Sequence, residues 1–182
     1  GQMMEKVVLP PFKPRRTEEE IRKECPWATT GRFGGRKPNI ITSLELRSEE
    51  MEIINLRIQE KYKKIEESEV RFEEYMLDDA EYAIVAFGSA ARIAKKSIEI
   101  ARSQGIKVGL LRPITLWPFP TKEVQKLGEK MKGILSLEIN AGQMVEDIRL
   151  AVAGRVPVQH FGRLGGIIPD PDEVVDAIKR LF

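Results

Sequence analysis

The sequence predicts an α/β protein, a parallel sheet covered on both faces by helices and preceded by a long charged lead-in. Three observations predict it. From about residue 70, four short apolar runs recur: Tyr82 to Phe87, Lys107 to Leu111, Ile134 to Ile139 and Val156 to Phe161. Each is followed by a helical pattern, over Ser89 to Ser103, Thr121 to Met131, Gln143 to Ala153 and Asp172 to Leu181. Cap residues agree: Ser89 and Thr121 can act as N-caps, and Asp170-Pro171 sets a capping carboxylate before a proline at the first helical position. Strands alternating with helices of this length call for a parallel sheet between two helical layers.

Taken in order, residues 1–47 read as a linker, or an arm that lies on something else. Val7-Val8-Leu9 could form a short strand, but Pro10, Pro11 and Pro14 favour extended chain. Glu18 to Lys23 can form a helical turn or two, stopped before Pro26, and Thr29 to Arg36 is turn-rich and polar. Residues 48–69 read as a charged amphipathic helix capped by Ser48. Met51, Ile54, Ile58, Tyr62 and Ile65 recur at steps of three and four on one face, opposite Arg57, Glu60, Lys63, Lys64 and Glu67. One apolar stripe on so long a helix needs a partner surface. Val70 to Met76 alternates in part and suits an edge strand, so residues 70–182 form the folded domain.

Composition narrows the function classes. Hydrophobic residues make up 42% and support a core, while 32% charged residues exceeds the roughly 25% usual in globular domains. Ion-pair-rich heat-adapted surfaces and a charged helical appendage both produce such a figure. With 30 basic and 28 acidic residues the net charge is +2, so no global field favours nucleic acid. Lys13-Pro14-Arg15-Arg16 is followed at once by Glu18-Glu19-Glu20 and reads as solvated linker. No run approaches the roughly 18 apolar residues of a membrane helix. The single cysteine, Cys25, excludes an internal disulfide and an all-cysteine iron–sulfur cluster, which needs about four thiolates. The expected compartment is the cytoplasm.

Catalytic constellations are mostly missing, and the chain on its own is not expected to be a complete catalyst. A lone histidine, His160, cannot build a two-histidine metal site, and no Gly-x-Ser-x-Gly elbow exposes a nucleophile. The plain reading of His160 is a hydrogen-bonded residue at a strand end. Gly88 and Ser89, at a strand-to-helix turn, could offer backbone amides to a phosphate. A dinucleotide fingerprint is absent, because Ala90 and Ile93 stand where glycines belong.

Two loops carry more. Arg112-Pro113-Ile114-Thr115-Leu116-Trp117-Pro118-Phe119-Pro120 is stiffened by three prolines and loses little entropy on docking. Glu138-Ile139-Asn140-Ala141-Gly142-Gln143 ends a strand and opens a helix, where α/β sheets meet ligands or partners, although Asn140 and Gly142 also suit a simple turn. The interface candidates are therefore Arg112, Trp117, Phe119, Asn140, Gly142 and Gln143, with Arg163 in the flexible Gly162 to Gly166 segment.

Together these loops, the Asp78-Asp79-Ala80-Glu81 lead and Gly88-Ser89-Ala90-Ala91-Arg92-Ile93 resemble the alpha subunit of 2-oxoacid:ferredoxin oxidoreductases. The likeness is fullest over residues 48–182, and Gly1-Gln2-Met3-Met4-Glu5 is similar to the segment leaving the family's N-terminal domain. Gly142-Gln143-Met144-Val145-Glu146-Asp147 and Gly154-Arg155-Val156-Pro157-Val158 are most similar to the branched-chain, 2-oxoisovalerate type. The resemblance implies a three-layer α/β/α sandwich like the C-terminal domain of transketolase, with a five-stranded mixed sheet whose first strand, Val70 to Met76, runs antiparallel. It implies a structural and assembly domain within an enzyme that oxidatively decarboxylates a 2-oxoacid to an acyl-CoA and reduces ferredoxin.

The same resemblance implies partners, namely beta, gamma and delta-type subunits, with ferredoxin and CoA serving the whole complex. Thiamine diphosphate, magnesium and 4Fe-4S clusters belong to the intact complex. None is expected on this chain, which looks like a fragment lacking the family's N-terminal domain. A rival reading of the residues is a self-standing module binding a CoA-like or other phosphate-bearing ligand near Ser89 or Gln143.

Overall fold

The computed structural model describes residues 8–29 and 31–181. Val7, Thr30 and the Gly1 to Glu5 segment lie outside them. Internal contacts divide the chain into two units, Gly1–Arg57 and Ile58–Phe182.

In the first unit no described residue is buried. Val8 and Leu9 form no strand; the prolines that follow remove the amides a ladder would need. Helix α1 (Glu18–Glu24) starts from Thr17, whose hydroxyl accepts from Glu20 N while the Glu20 carboxylate accepts from Thr17 N. The turn-rich segment is more organised than its composition suggests. The Arg36 guanidinium donates to the carbonyls of Pro26, Ala28 and Gly31 at 2.7, 2.6 and 2.9 Å, and Asn39 Nδ2 donates to Pro26 O at 2.7 Å.

Helix α2 (Ser48–Ser68) starts one residue earlier than a Ser48 cap would allow. Met51 N already donates to Arg47 O at 3.0 Å, so Ser48 is the first helical residue. Met51, Ile54, Ile58 and Ile65 are its half-buried line, Tyr62 stays 39% exposed, and no residue of α2 is buried.

The second unit holds the sheet: β1 (Phe72–Tyr75), β2 (Tyr82–Val85), β3 (Val108–Pro113), β4 (Gly133–Glu138) and β5 (Val158–Gly162), in the order β1-β3-β2-β4-β5. β2 to β5 pair in parallel and β1 lies antiparallel on β3, Phe72 opposite Pro113 and Tyr75 opposite Leu110. The helices are α3 (Gly88–Ser103), α4 (Thr121–Lys130), α5 (Met144–Val152) and α6 (Pro171–Lys179). Successive strand residues face opposite ways, so each strand feeds two cores. Ile84, Leu110 and Leu135 pack with α3 and α6, while Ala83, Val85, Leu111 and Ile134 pack with α4 and α5. The architecture is the expected three-layer α/β/α sandwich with an antiparallel first strand.

Caps are corrected in detail. Phe87 precedes α3 and Pro120 precedes α4, neither with a side-chain cap, so Ser89 and Thr121 lie inside their helices. Asp170 is the cap expected: it accepts from Asp172 N at 2.9 Å and Glu173 returns a bond to Asp170 N at 3.0 Å, with Pro171 opening the helix.

Candidate functional site

The parallel strands point one set of loops to a single edge of the sheet, and that carboxyl edge gathers most of the candidates. β2 and β4 are neighbours, yet α3 leaves β2 for one face and α5 leaves β4 for the other. The loops therefore diverge, forming the crevice where open α/β sheets receive ligands or partners. Gly88 and Ser89 end one side of this switch point and Asn140, Gly142 and Gln143 the other.

A residue that sequence reasoning passed over organises the β4 side. Glu138, at the end of β4, is 1% exposed. Its Oε2 accepts from Gln143 N at 3.0 Å and Met144 N at 2.9 Å; its Oε1 accepts from Val145 N at 3.0 Å and Ser136 Oγ at 2.9 Å. A carboxylate from the preceding strand thus fills the N-terminus of α5, where orphan amides and the helix dipole favour negative charge. Burial pushes Glu138 up, but the amides of Gln143, Met144 and Val145 and the Ser136 hydroxyl outweigh it and hold the carboxyl below its ordinary value. Asn140 Oδ1 accepts from Gly142 N at 2.7 Å and closes the turn, with Gly142 at φ 105°. The rival reading of a phosphate at Gln143 meets a physical obstacle, since the protein's own carboxylate already takes those amides. At α3 no side chain caps the amides beside Gly88 and Ser89.

His160 lies on β5 opposite Ser136, with Nε2 4.0 Å from Glu138 Oε1. Contrary to the plain expectation, that buried Nε2 has no hydrogen-bond partner. The ring fills the space beside Gly162, where any Cβ would fall on Asn140 O and within 2.8 Å of the imidazole. A nucleophile held by His160 is not in evidence: the neighbouring hydroxyl, Ser136, is buried and donates to Glu138.

The other candidates divide by exposure. Trp117 is 54% exposed, edge-on to Tyr62 with ring centroids 5.2 Å apart. Phe119 is half-buried against the second core, so it serves packing as well as surface. The loop is tied down where Arg71 O accepts from Ile114 N and Thr115 N at 2.9 and 3.1 Å. Beside it an open groove of about 720 Å³ runs past Lys63, Val70, Phe72, Trp117 and Phe119. Arg112 lies on β3 and donates to Glu73 at 2.8 Å, while Arg163 donates to Glu173 at 3.1 Å on the first turn of α6.

Exposed apolar side chains share the same edge. From residue 72 onward they are Phe72, then Ile114, Leu116 and Trp117 after β3, Ile139 after β4, and Leu164, Ile167 and Ile168 after β5. Among the described residues of that span only Met76 and Leu150 lie elsewhere.

The fold so defined is a three-layer α/β/α domain with apolar side chains exposed along its carboxyl edge. Residues 80–174 match the pyruvate:ferredoxin oxidoreductase core domain II, and the chain belongs to that family. It is 42% identical over 183 residues to the ketoisovalerate oxidoreductase subunit VorB of Methanothermobacter thermautotrophicus, a match covering 100% of this chain and 49% of the relative. The chain thus spans about half the length of the curated relatives it matches. Among solved structures, the 2-oxoglutarate:ferredoxin oxidoreductase of Magnetococcus marinus superposes with a TM-score of 0.67 at 21% identity, over 85% of this chain and 28% of that one. A split-gene transketolase gives 0.53 at 14% identity, over 61% of this chain and 41% of its own. Both likenesses concern the fold.

The described residues supply no ligand set for a metal ion or an all-cysteine iron–sulfur cluster. Among the described residues no cluster of three His, Cys, Asp or Glu could hold a metal ion. One cysteine cannot supply a cluster's thiolates. No helix among the described residues is long and apolar enough to cross a membrane.

Proposed function

We propose that residues 70–182 are the C-terminal structural and assembly domain of the alpha subunit of a 2-oxoacid:ferredoxin oxidoreductase, with residues 1–69 as the arm that docks on the rest of the subunit. The complex oxidatively decarboxylates a branched 2-oxoacid, 2-oxoisovalerate, to its acyl-CoA and passes electrons to ferredoxin. Beta, gamma and delta-type subunits complete it and carry the thiamine diphosphate, magnesium and 4Fe-4S clusters. The observation that carries this reading is the apolar carboxyl edge, where Trp117, Leu164, Ile167 and Ile168 stand in water beside loops held rigid by Pro118, Glu138 and Asn140. Exposed apolar side chains gathered on one edge support a site for protein contact. The substrate class follows the ketoisovalerate relative, whose match runs through the arm as well as the domain.

The chain expressed from its native reading frame tests this. Co-purification with subunits bearing thiamine diphosphate and iron–sulfur clusters, reduced by Trp117→Ala in a domain that still folds, supports the reading. A native chain that purifies alone and binds CoA at micromolar concentration refutes it in favour of the phosphate-ligand module.

A further inference from the structure

Residues 40–46, Ile40-Ile41-Thr42-Ser43-Leu44-Glu45-Leu46, run between Pro38 and α2 in neither helix nor strand. Their composition is that of a strand, with two β-branched isoleucines, a threonine, a single charge and no proline or glycine. In extended chain the side chains alternate, so Ile40, Thr42, Leu44 and Leu46 share one side. Ile40 is 91%, Leu44 71% and Leu46 85% exposed. The backbone is almost as open: among the described residues these amides bond to no other backbone, Leu44 N reaches only the Thr42 hydroxyl at 3.1 Å, and Leu46 N meets only the neighbouring Glu45 carboxylate.

An apolar, proline-free extended segment with open N–H and C=O groups is a template for strand pairing. A hydrophobic groove would cover its side chains and leave its amides unpaired; an open sheet edge answers both. Its two ends are already set. Arg36 and Asn39 clasp the preceding turn onto the carbonyls of Pro26, Ala28 and Gly31, and α2 starts at Ser48. Ordering seven residues between two built anchors costs less than ordering a free tail.

We infer that residues 40–46 dock as an added edge strand on an open sheet in the polypeptide that fills the remaining length of the relatives. Ile40, Leu44 and Leu46 then extend the apolar face of that sheet. The inference rests on the assembly reading. Its occupant is chosen because the match to VorB includes all of this arm while about half of that relative lies outside the match, enough chain for a domain with its own sheet.

Hydrogen exchange on the native chain, in its purified complex, tests it. An edge strand pairs every second amide, so one alternate set within 40–46 exchanges at least about 100-fold slower than free chain and the other set stays fast. Thr42→Pro and Ser43→Pro give a second reading, because only one of the two removes a paired N–H. One variant loosens the arm and the other is tolerated. Fast exchange throughout, uniform slow exchange, or equal effects of the two prolines overturn the strand. If co-purifying subunits appear and alternation does not, the docking mode fails while the assembly reading stands. If the native chain purifies alone, the assembly reading fails. Alternation seen there in a chain as long as the relatives keeps the occupant, while alternation in a chain of this length assigns the edge to a second copy and overturns it.

Discussion

The loops that enter β2, β3 and β4 and the loops that leave them are built from different materials. On the entering side, the Arg102 guanidinium donates to Val108 O at 2.8 Å, Met76 O at 2.7 Å and the Asp79 carboxylate at 2.8 Å. Lys130 Nζ donates to the carbonyls of Leu77 and Asp78 at 3.0 and 2.9 Å, and Lys132 pairs with Glu81. Leu77 and Ala80 point inward, and β3 approaches so closely that a Cβ on Gly109 would fall on Met76 O. That edge answers its own carbonyls with its own cations. On the leaving side Glu138 and Asn140 after β4 and the Arg71 carbonyl after β3 bind backbone amides, but apolar side chains are left outside. On the assembly reading proposed above, this difference would separate a surface facing water from a surface facing protein.

The sharpest way to break this contrast is at Glu138, where the open edge depends on one buried charge. Glu138→Ala leaves the amides of Gln143, Met144 and Val145 and the Ser136 hydroxyl without their acceptor. We expect a loss of about 3 kcal/mol in urea unfolding. Glu138→Gln, which keeps one acceptor oxygen, should lose less. Equal melting of Glu138→Ala and the parent would mean the loop does not depend on the carboxylate. Next in size is Trp117→Ala. At the centre of an interface it should weaken subunit affinity about 30-fold, near 2 kcal/mol. The domain's own unfolding should fall by less than about 1 kcal/mol, the scale of one aromatic edge contact with Tyr62. The Trp117→Ala, Phe119→Ala double variant is a poorer probe, because Phe119 packs on the core and its loss confounds stability with assembly. Unaltered affinity in the single variant removes the loop from the interface.

How far the sequence could be read follows from which forces are local. The four parallel strands and their helices were legible because each is a short apolar run bounded by turn residues. The antiparallel first strand came with the family resemblance. Asp170 was legible as a cap because Pro171 and Glu173 fix it within four residues. Ser48 and Thr121 are the first residues of their helices and Ser89 the second: Phe87 and Pro120 take the cap positions without any side-chain bond, so cap chemistry did not set those boundaries. Glu138 was missed although a signal exists. Ser136 and Glu138 alternate within an apolar run, and a charge in a strand buried on both faces must find donors. The Arg36 clasp was illegible, since its acceptors sit five to ten residues back along a turn that no periodicity marks.

On the closed edge Arg102→Ala should cost about 1 kcal/mol, from the bonds to Val108 O and Met76 O, and leave subunit affinity unchanged. A matching loss of affinity would erase the distinction between the edges. The smallest effect belongs to Glu73 of β1, which accepts from both Lys95 of α3 and Arg112 of β3. The Lys95 ammonium is the main reason its carboxyl lies below the ordinary value; partial burial opposes the shift and Arg112 adds to it. A carboxyl with a depressed folded pKa contributes stability above its unfolded pKa, about 4.3, and loses it as pH falls through the lower folded value. Both side chains of the pair are about one-third exposed, so solvent screening keeps the contribution below about 1 kcal/mol. Unfolding free energy measured from pH 6 down to pH 3 should therefore fall less steeply in Glu73→Gln than in the parent. The difference should shrink in 1 M salt, because the cations that hold Glu73 are within reach of solvent. Parallel acid curves for variant and parent would mean that Lys95 and Arg112 neutralise Glu73 without favouring its charge, leaving β1 held on the sheet by its ladder to β3 alone.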